Sequence, residues 1–214
     1  MLEREGILGP AVHTGEPPRY ERPSRVSINS VAVYCASSPK VDGEYLRVAG
    51  DLGRELASAG WTTIYGGGAV GLMGAVADAV LDAGGKIIGV RPRFINQIEP
   101  DRKGLTETVF TETMHERLGV LMKRSDAFVA LPGACGTLHE VIEAITWKRL
   151  GLHNKPVILL NQDRFFDPLV QMFEQMITQR FVSPSFSDLY HVCADAVSVV
   201  RYLRAYEPPP LAPL

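Results

Sequence analysis

Short apolar runs alternate along the chain with stretches in which apolar residues recur every three or four positions. "SVAVYC" (30–35), "TTIY" (62–65), "KIIGV" (86–90), "AFVAL" (127–131), "PVILL" (156–160) and "YHVC" (190–193) read as strands. Their near-continuous apolarity is that of strands covered on both faces. Between them, residues 43–59 place Leu46, Ala49, Leu52 and Leu56 at helical spacing. Residues 71–83, 114–124, 138–150, 166–180 and a last stretch ending near 204 also read as helices. Strand and helix taking turns predicts an α/β fold: one parallel sheet, doubly wound, with helices on both faces. The pattern spans residues 30–206 as a single domain. Residues 1–29 are rich in Pro, Gly, Arg and Glu without periodicity and read as a flexible N-terminal arm that drapes over a partner subunit. The Pro-rich tail 207–214, "EPPPLAPL", is barred from helix and from central strand.

Composition narrows the classes. A chain of 214 residues, 46% hydrophobic and 21% charged, is ordinary for a soluble domain with a sizeable core. A formal net charge of -2 offers no footprint for a nucleic acid polymer or an anionic membrane surface. No run reaches the roughly 18 apolar residues of a membrane helix. Cys35, Cys135 and Cys193 fit neither a zinc ribbon nor a redox pair, and they imply a reduced, cytoplasmic setting. The mixed charges of Glu3, Arg4 and Glu5 are unlike a secretory signal.

In a doubly wound sheet, ligands sit beyond the carboxyl ends of the strands, where the strand order reverses. Two glycine-rich turns leave strands at that edge: "YGGGAVGLMG" (65–74), with Gly66, Gly67 and Gly68, and "PGACGT" (132–137), with Gly133, Ala134, Cys135, Gly136 and Thr137. Each delivers a helix N-terminus, whose free N–H groups and dipole favour an anion such as phosphate. Neither is a G-x-G-x-x-G fingerprint or a GxxxxGK[ST] loop, which disfavours a simple NAD enzyme or an ATPase. Thr137-x-x-Glu140 and Thr113-x-x-Glu116 both have the spacing of a capping box, so each glutamate has a purely structural reading. For Glu140 a chemical role competes with it. A carboxylate is electrostatically awkward in a turn that would hold an anion, and Glu143 follows on the same face. Arg117 sits one turn into a helix that should begin at the same edge, and it reads equally well as a solvated helix residue. Ser37 and Ser38 follow the first strand, where a hydroxyl serves either a ligand or an ordinary turn. Met114 suits the core or a ligand platform. Cys135 lacks an identifiable histidine partner for nucleophilic work. "HEVIE" (139–143) misses the HExxH zinc pattern, since Glu143 stands where the second histidine belongs.

"YGGGAVGLMG", "TETMHER" and "LPGACGTLHEVIEAITW" closely resemble the LOG proteins, cytokinin riboside 5'-monophosphate phosphoribohydrolases, often labelled lysine decarboxylases. The resemblance runs from about residue 30 to 193. It implies a Rossmann-like fold, a homodimer or higher homo-oligomer, and hydrolysis of the N-glycosidic bond of a nucleoside 5'-monophosphate to free base and ribose 5-phosphate. No metal and no organic cofactor is implied. By position, the family's catalytic arginine and glutamate fall on Arg117 and Glu140. Its nucleotide contacts fall on Glu99, Arg117, the Gly133–His139 loop and Thr146. Two residues depart from the pattern PGGxGTxxE and MHERK. Ala134 replaces a glycine, which puts a methyl where backbone meets phosphate and disfavours positive φ. Leu118 replaces a lysine, which removes a cation near an anionic substrate.

Together these readings imply that amides of residues 133–137 anchor the phosphate while Glu140 meets the positive charge of the breaking ribosyl bond or activates water. AMP and a cytokinin riboside monophosphate are equally open as substrates. A non-catalytic carrier of a phosphorylated ligand, like the molybdenum-cofactor carriers, is the alternative, and the Arg117–Glu140 pair favours the enzyme. Lysine decarboxylation needs pyridoxal phosphate on a lysine, and neither glycine turn contains one.

Overall fold

The computed structural model describes residues 27–97 and 102–209. The chain runs β1 (Ser30–Tyr34), α1 (Gly43–Ser58), β2 (Thr62–Tyr65), α2 (Gly71–Asp82), β3 (Ile87–Pro92), β4 (Glu107–Thr111), α3 (Met114–Arg124), β5 (Ala127–Ala130), α4 (Cys135–Arg149), β6 (Val157–Leu160), α5 (Asp167–Thr178), β7 (His191–Cys193) and α6 (Ala196–Arg204). All seven strands are parallel, in the order β4-β3-β2-β1-β5-β6-β7. Among the described residues no helix is long and apolar enough to cross a membrane.

Each central strand feeds two cores by alternation. Val31, Val33, Ala127, Val129 and Ile158 pack with α1, α2 and α6. Their neighbours Ala32, Tyr34, Phe128, Ala130 and Leu159 pack with α3, α4 and α5. Burial on both faces explains why these strands read as continuous apolar runs. The Asp126 carboxylate joins the amino ends of β1 and β5: it accepts from Asn29 N at 2.9 Å, Ser30 N at 3.0 Å and Ser30 Oγ at 2.9 Å. Helices α1 and α2 pack closely because Gly53 lacks a side chain. A Cβ there would lie 2.7 Å from the Val76 carbonyl and 3.0 Å from the Ala79 methyl.

The strand order reverses at β1, which lies between β2 and β5. Connections leaving the carboxyl ends of these three strands diverge to opposite faces and open a crevice above β1. Two elements differ from the sequence reading. Strand β4 is absent from it: "ETVFT" sits at the sheet edge with Glu107 and Phe110 exposed, and so lacks the apolar run of a doubly covered strand. Helix α4 starts at Cys135 rather than 138, so the second half of the glycine turn is already its first turn. Most of the N-terminal arm, residues 1–26, and tail residues 210–214 lie outside the described residues.

Two glycines inside helices predict opposite outcomes. Gly53→Ala overpacks the α1–α2 contact, at a cost of about 2 kcal/mol and about 6 °C in melting temperature for a chain of this size. Gly119→Ala, inside α3 with no neighbour within 4 Å of the added methyl, gains roughly 0.5–1 kcal/mol of helix propensity. Thermal melts of both variants beside the parent check the pair.

Candidate active site

Five connections at the carboxyl edge enclose a cavity of about 320 Å³. The turn after β1 contributes Cys35, Ala36, Ser37 and Ser38. The second connection supplies Gly66 and Met73, and Ile95 comes from the helical turn after β3. Helix α3 brings Arg117, and the start of α4 brings Ala134, Gly136, Thr137 and Glu140. The volume lies at the lower end of the roughly 300–1,000 Å³ of small-molecule sites.

At the cavity floor lies a buried ion pair. Arg117 Nη1 donates to Glu140 Oε1 at 2.6 Å, and the two residues are 6% and 5% exposed. Arg117 is held from a second side, its Nε donating to the Val90 carbonyl at 3.1 Å. Its remaining nitrogen packs on bare backbone: a Cβ at Gly66 would meet Nη2 at 2.8 Å and the Met73 methyl at 3.0 Å. Gly66 is therefore needed for close approach rather than for an unusual φ. The second carboxylate oxygen of Glu140 has no hydrogen-bond partner among the described residues. Burial raises the Glu140 pKa above its ordinary 4.5, and Arg117, with a smaller contribution from His139, opposes the rise. Desolvation disfavours the charged form of the carboxylate and the guanidinium favours it.

Glu140 is not a capping residue. The N-cap of α4 is Ala134, which makes no side-chain cap bond, and Glu140 lies in the second turn, past the free amides. Thr137 is in the first turn, its side chain filling the space over Gly133, where any Cβ would strike it. The amides at the start of α4 thus meet the cavity without a side-chain cap, an arrangement that favours an anion. Ala134 has φ -90° and ψ -163°, extended backbone open to any L residue, so the expected need for positive φ at this position does not exist. In the other predicted box Thr113 Oγ1 does cap Glu116 N, at 3.1 Å, and the Glu116 carboxylate accepts from Glu112 N at 2.7 Å.

The other expected residues divide. Ser37 and Ser38 line the cavity, and Ser38 Oγ also accepts from Lys40 N at 3.3 Å. Of Gly66, Gly67 and Gly68 only Gly66 reaches the cavity. Gly67 backs onto Arg91, Gly68 onto Met73, and the Met73 amide, in the first turn of α2, is taken by the Ala36 carbonyl at 3.2 Å. The first glycine turn shapes a wall; α2 also begins without a side-chain cap, at Val70, and it is the start of α4 that lines the cavity with Ala134, Gly136 and Thr137. Cys135 is exposed at the rim, outside the lining. Glu143 turns away from the cavity to accept from Trp147 Nε1 at 2.5 Å, so carboxylates do not converge along α4. Thr146 is exposed on α4 and Met114 half-buried at the start of α3, both outside the lining. Leu118 is buried rather than facing the cavity, so its side chain takes nothing from the site's electrostatics directly. Glu99 lies outside the described residues. Sequence reasoning passed over Met73 and Ile95; Met73 was signalled by its place inside "YGGGAVGLMG", whereas Ile95 carried no local signal.

Removing the cation should expose the cost of burying Glu140. In Arg117→Met the folded-state pKa of Glu140 rises further, while the unfolded value stays near 4.5. Between those values the folded chain binds a proton that the unfolded chain releases, so stability is lost as pH rises through the window. The deficit against the parent should be smallest near pH 4.5 and grow to about 3 kcal/mol by neutral pH. Urea unfolding of both proteins at several pH values measures it.

A family model described as "Possible lysine decarboxylase" matches residues 73–203. Among curated proteins, a probable cytokinin riboside 5'-monophosphate phosphoribohydrolase of Oryza sativa subsp. japonica is 43% identical over 178 residues, covering 83% of this chain and 78% of its own. A cytokinin riboside 5'-monophosphate phosphoribohydrolase of Rhodococcoides fascians is 38% identical over 183 residues, covering 85% and 92%. Among solved structures, the molybdenum cofactor carrier protein of Chlamydomonas reinhardtii matches with a TM-score of 0.63 at 25% identity, over 84% of this chain and 100% of that one. The molybdenum cofactor binding protein of Rippkaea orientalis matches at 0.64 with 21% identity, over 85% and 98%, and speaks to the Rossmann-like fold alone. With more than half its length matched by the family model and these identities to the curated relatives, the chain belongs to the LOG family of cytokinin riboside 5'-monophosphate phosphoribohydrolases.

Proposed function

We propose that this chain is a hydrolase that cleaves the N-glycosidic bond of a nucleoside 5'-monophosphate, a cytokinin riboside monophosphate or AMP, to free base and ribose 5-phosphate. One observation carries the reading: a buried, arginine-paired carboxylate stands in the same small cavity as an uncapped helix N-terminus. The relatives named for this activity support it at 38–43% identity.

The phosphate rests on the amides of Gly136 and Thr137, which fixes the ribose over the floor of the cavity. The bond from C1' to the base nitrogen breaks with its electron pair leaving on the base, and positive charge grows on the ribose. Glu140 Oε2 faces that charge and takes a proton from the water whose oxygen bonds to C1'. Glu140 then passes that proton to the departing base nitrogen through water, so the base leaves neutral and the carboxylate is ionised again. Arg117 keeps Glu140 ionised despite its burial and holds the carboxylate in place. Positioned proton transfer of this kind contributes roughly 10²–10⁴-fold. Met73 and Ile95 give the cavity an apolar side suited to the base. A carrier would need no buried ion pair beside its ligand, and no lysine lines the cavity among the described residues to hold pyridoxal phosphate.

The enzyme works in the cytoplasm as a homodimer. The three cysteines are free, two of them buried, which suits a reducing compartment. Exposed Ile142, Leu150 and Leu152 on and after α4, with Met172 and Phe181 on and after α5, supply apolar surface for a second copy.

Glu140→Gln should keep the fold and lose at least about a hundredfold in base release, while Glu116→Gln, which touches only a helix start, should stay near the parent rate. AMP and isopentenyladenosine monophosphate should be cleaved and the matching nucleosides should not. Equal turnover of adenosine and AMP would remove the phosphate anchor from the mechanism. Because the mechanism needs ionised Glu140, activity should fall as pH drops through its raised pKa, so the acid limb of kcat/KM should lie above pH 4.5.

A further inference from the structure

Beneath the cavity wall lies a second buried arginine. Arg91, near the end of β3, is 1% exposed and among the largest fully buried side chains. Its Nη1 donates to the Gly67 carbonyl at 2.7 Å. Its stem occupies the space an L side chain would need at Gly67: a Cβ there would lie 2.5 Å from Arg91 Cγ and 2.7 Å from Cδ. Gly67 has φ +77°, so glycine is also required by its backbone. The contact is therefore specific on both sides. The residue before it, Gly66, is the one whose bare backbone carries Arg117 Nη2, and the residue before Arg91, Val90, supplies the carbonyl that holds Arg117 Nε. Two adjacent residues of β3 thus grip the same assembly from its two faces. Val90 takes the catalytic guanidinium directly, and Arg91 pins the turn on which that guanidinium rests.

From this geometry we infer that Arg91 is a positioning residue for the Arg117–Glu140 pair, acting through the Gly66–Gly67 turn. The inference rests on the hydrolase reading and goes beyond it by adding a residue that touches neither substrate nor the ion pair. If the turn loosens, Arg117 loses its backing and moves off Glu140. The carboxylate then feels less of the cation that opposes its desolvation. The groups facing Glu140 are Arg117 from α3, His139 from its own helix, Tyr34 from β1 and Cys35 from the turn after it. The last two are pushed upward by burial and stay neutral through the acid range.

Arg91→Met keeps the stem against Gly67 and removes the guanidinium donors, and Arg91→Lys restores a cation and an ammonium donor. Two measurements separate the inference from the reading beneath it. The carboxyl ¹³C resonance of Glu140, assigned by its loss in Glu140→Gln, is titrated in parent and variants and is readable whether or not the protein turns over. Base release from AMP and isopentenyladenosine monophosphate is measured beside it. We expect the Glu140 midpoint to rise by about half a unit or more in Arg91→Met. kcat should drop between about tenfold and a hundredfold with KM within twofold, and Arg91→Lys should recover much of both. A parent that releases no base overturns the hydrolase reading, and the titration still decides the link from Arg91 to Glu140. A Glu140 midpoint unmoved in Arg91→Met overturns the inference, even if melting temperature falls, since that pattern is a structural role only. Should Arg91→Met fail to fold, Arg91→Lys decides: a smaller shift in the same direction supports the inference, and a parent-like titration overturns it.

Discussion

A carboxylate that is only 5% exposed must be paired or neutral, and the pairing of Glu140 with Arg117 organises everything around it. The pair joins α3 to α4, helices that enter from opposite sides of the strand-order reversal. To admit the guanidinium, the turn after β2 must present bare backbone at Gly66. To fix it, β3 must end with a carbonyl at the right height, which Val90 provides. To keep Glu140 out of capping, α4 must begin early enough that this residue clears its first turn. Each of these local features has its own structural cause, and the ion pair is where they meet.

Charge is divided within the cavity in a way that suits an anionic substrate with a cationic transition state. The uncapped amides of α4 offer partial positive charge at one end. The carboxylate stands a turn and a half further along, bonded to its own arginine. Without that arginine, desolvation would push Glu140 toward the protonated form, which can neither stabilise a ribosyl cation nor accept a proton from water. The arginine so reconciles two demands that conflict: burial of the carboxylate and its ionisation.

The glycines at this edge serve different ends, which a count of glycines conceals. Gly66 yields space to Arg117, Gly67 yields space to Arg91 and takes positive φ, and Gly133 yields space to Thr137. Gly136 meets nothing within 4 Å and lies open on the cavity. Only the last has the form expected of a backbone that a ligand approaches. Gly71, also at positive φ, packs against the Ser37–Ser38 backbone and sets the turn that follows β1.

From the sequence alone came the doubly wound α/β class, six of the seven strands, the six helices to within a few residues, and the two glycine turns, because burial on both faces and the 3.6-residue period leave local marks. Arg117 and Glu140 stood out as candidates through motif resemblance. Pattern alone left Glu140 divided between cap and catalyst, since Thr137-x-x-Glu140 has capping spacing whatever lies across from it. Only the tertiary structure excluded the cap, by starting α4 at Cys135, and it gave Glu140 a buried partner by bringing Arg117, 23 positions away, within 2.6 Å. Strand β4 escaped notice because an edge strand needs only one apolar face, and its stability comes from pairing with β3 rather than from its own composition. Arg91, Met73 and Ile95 took their places beneath and around the cavity for the same reason: their roles depend on which strand lies beside which, and strand order is set by the packing of the whole sheet.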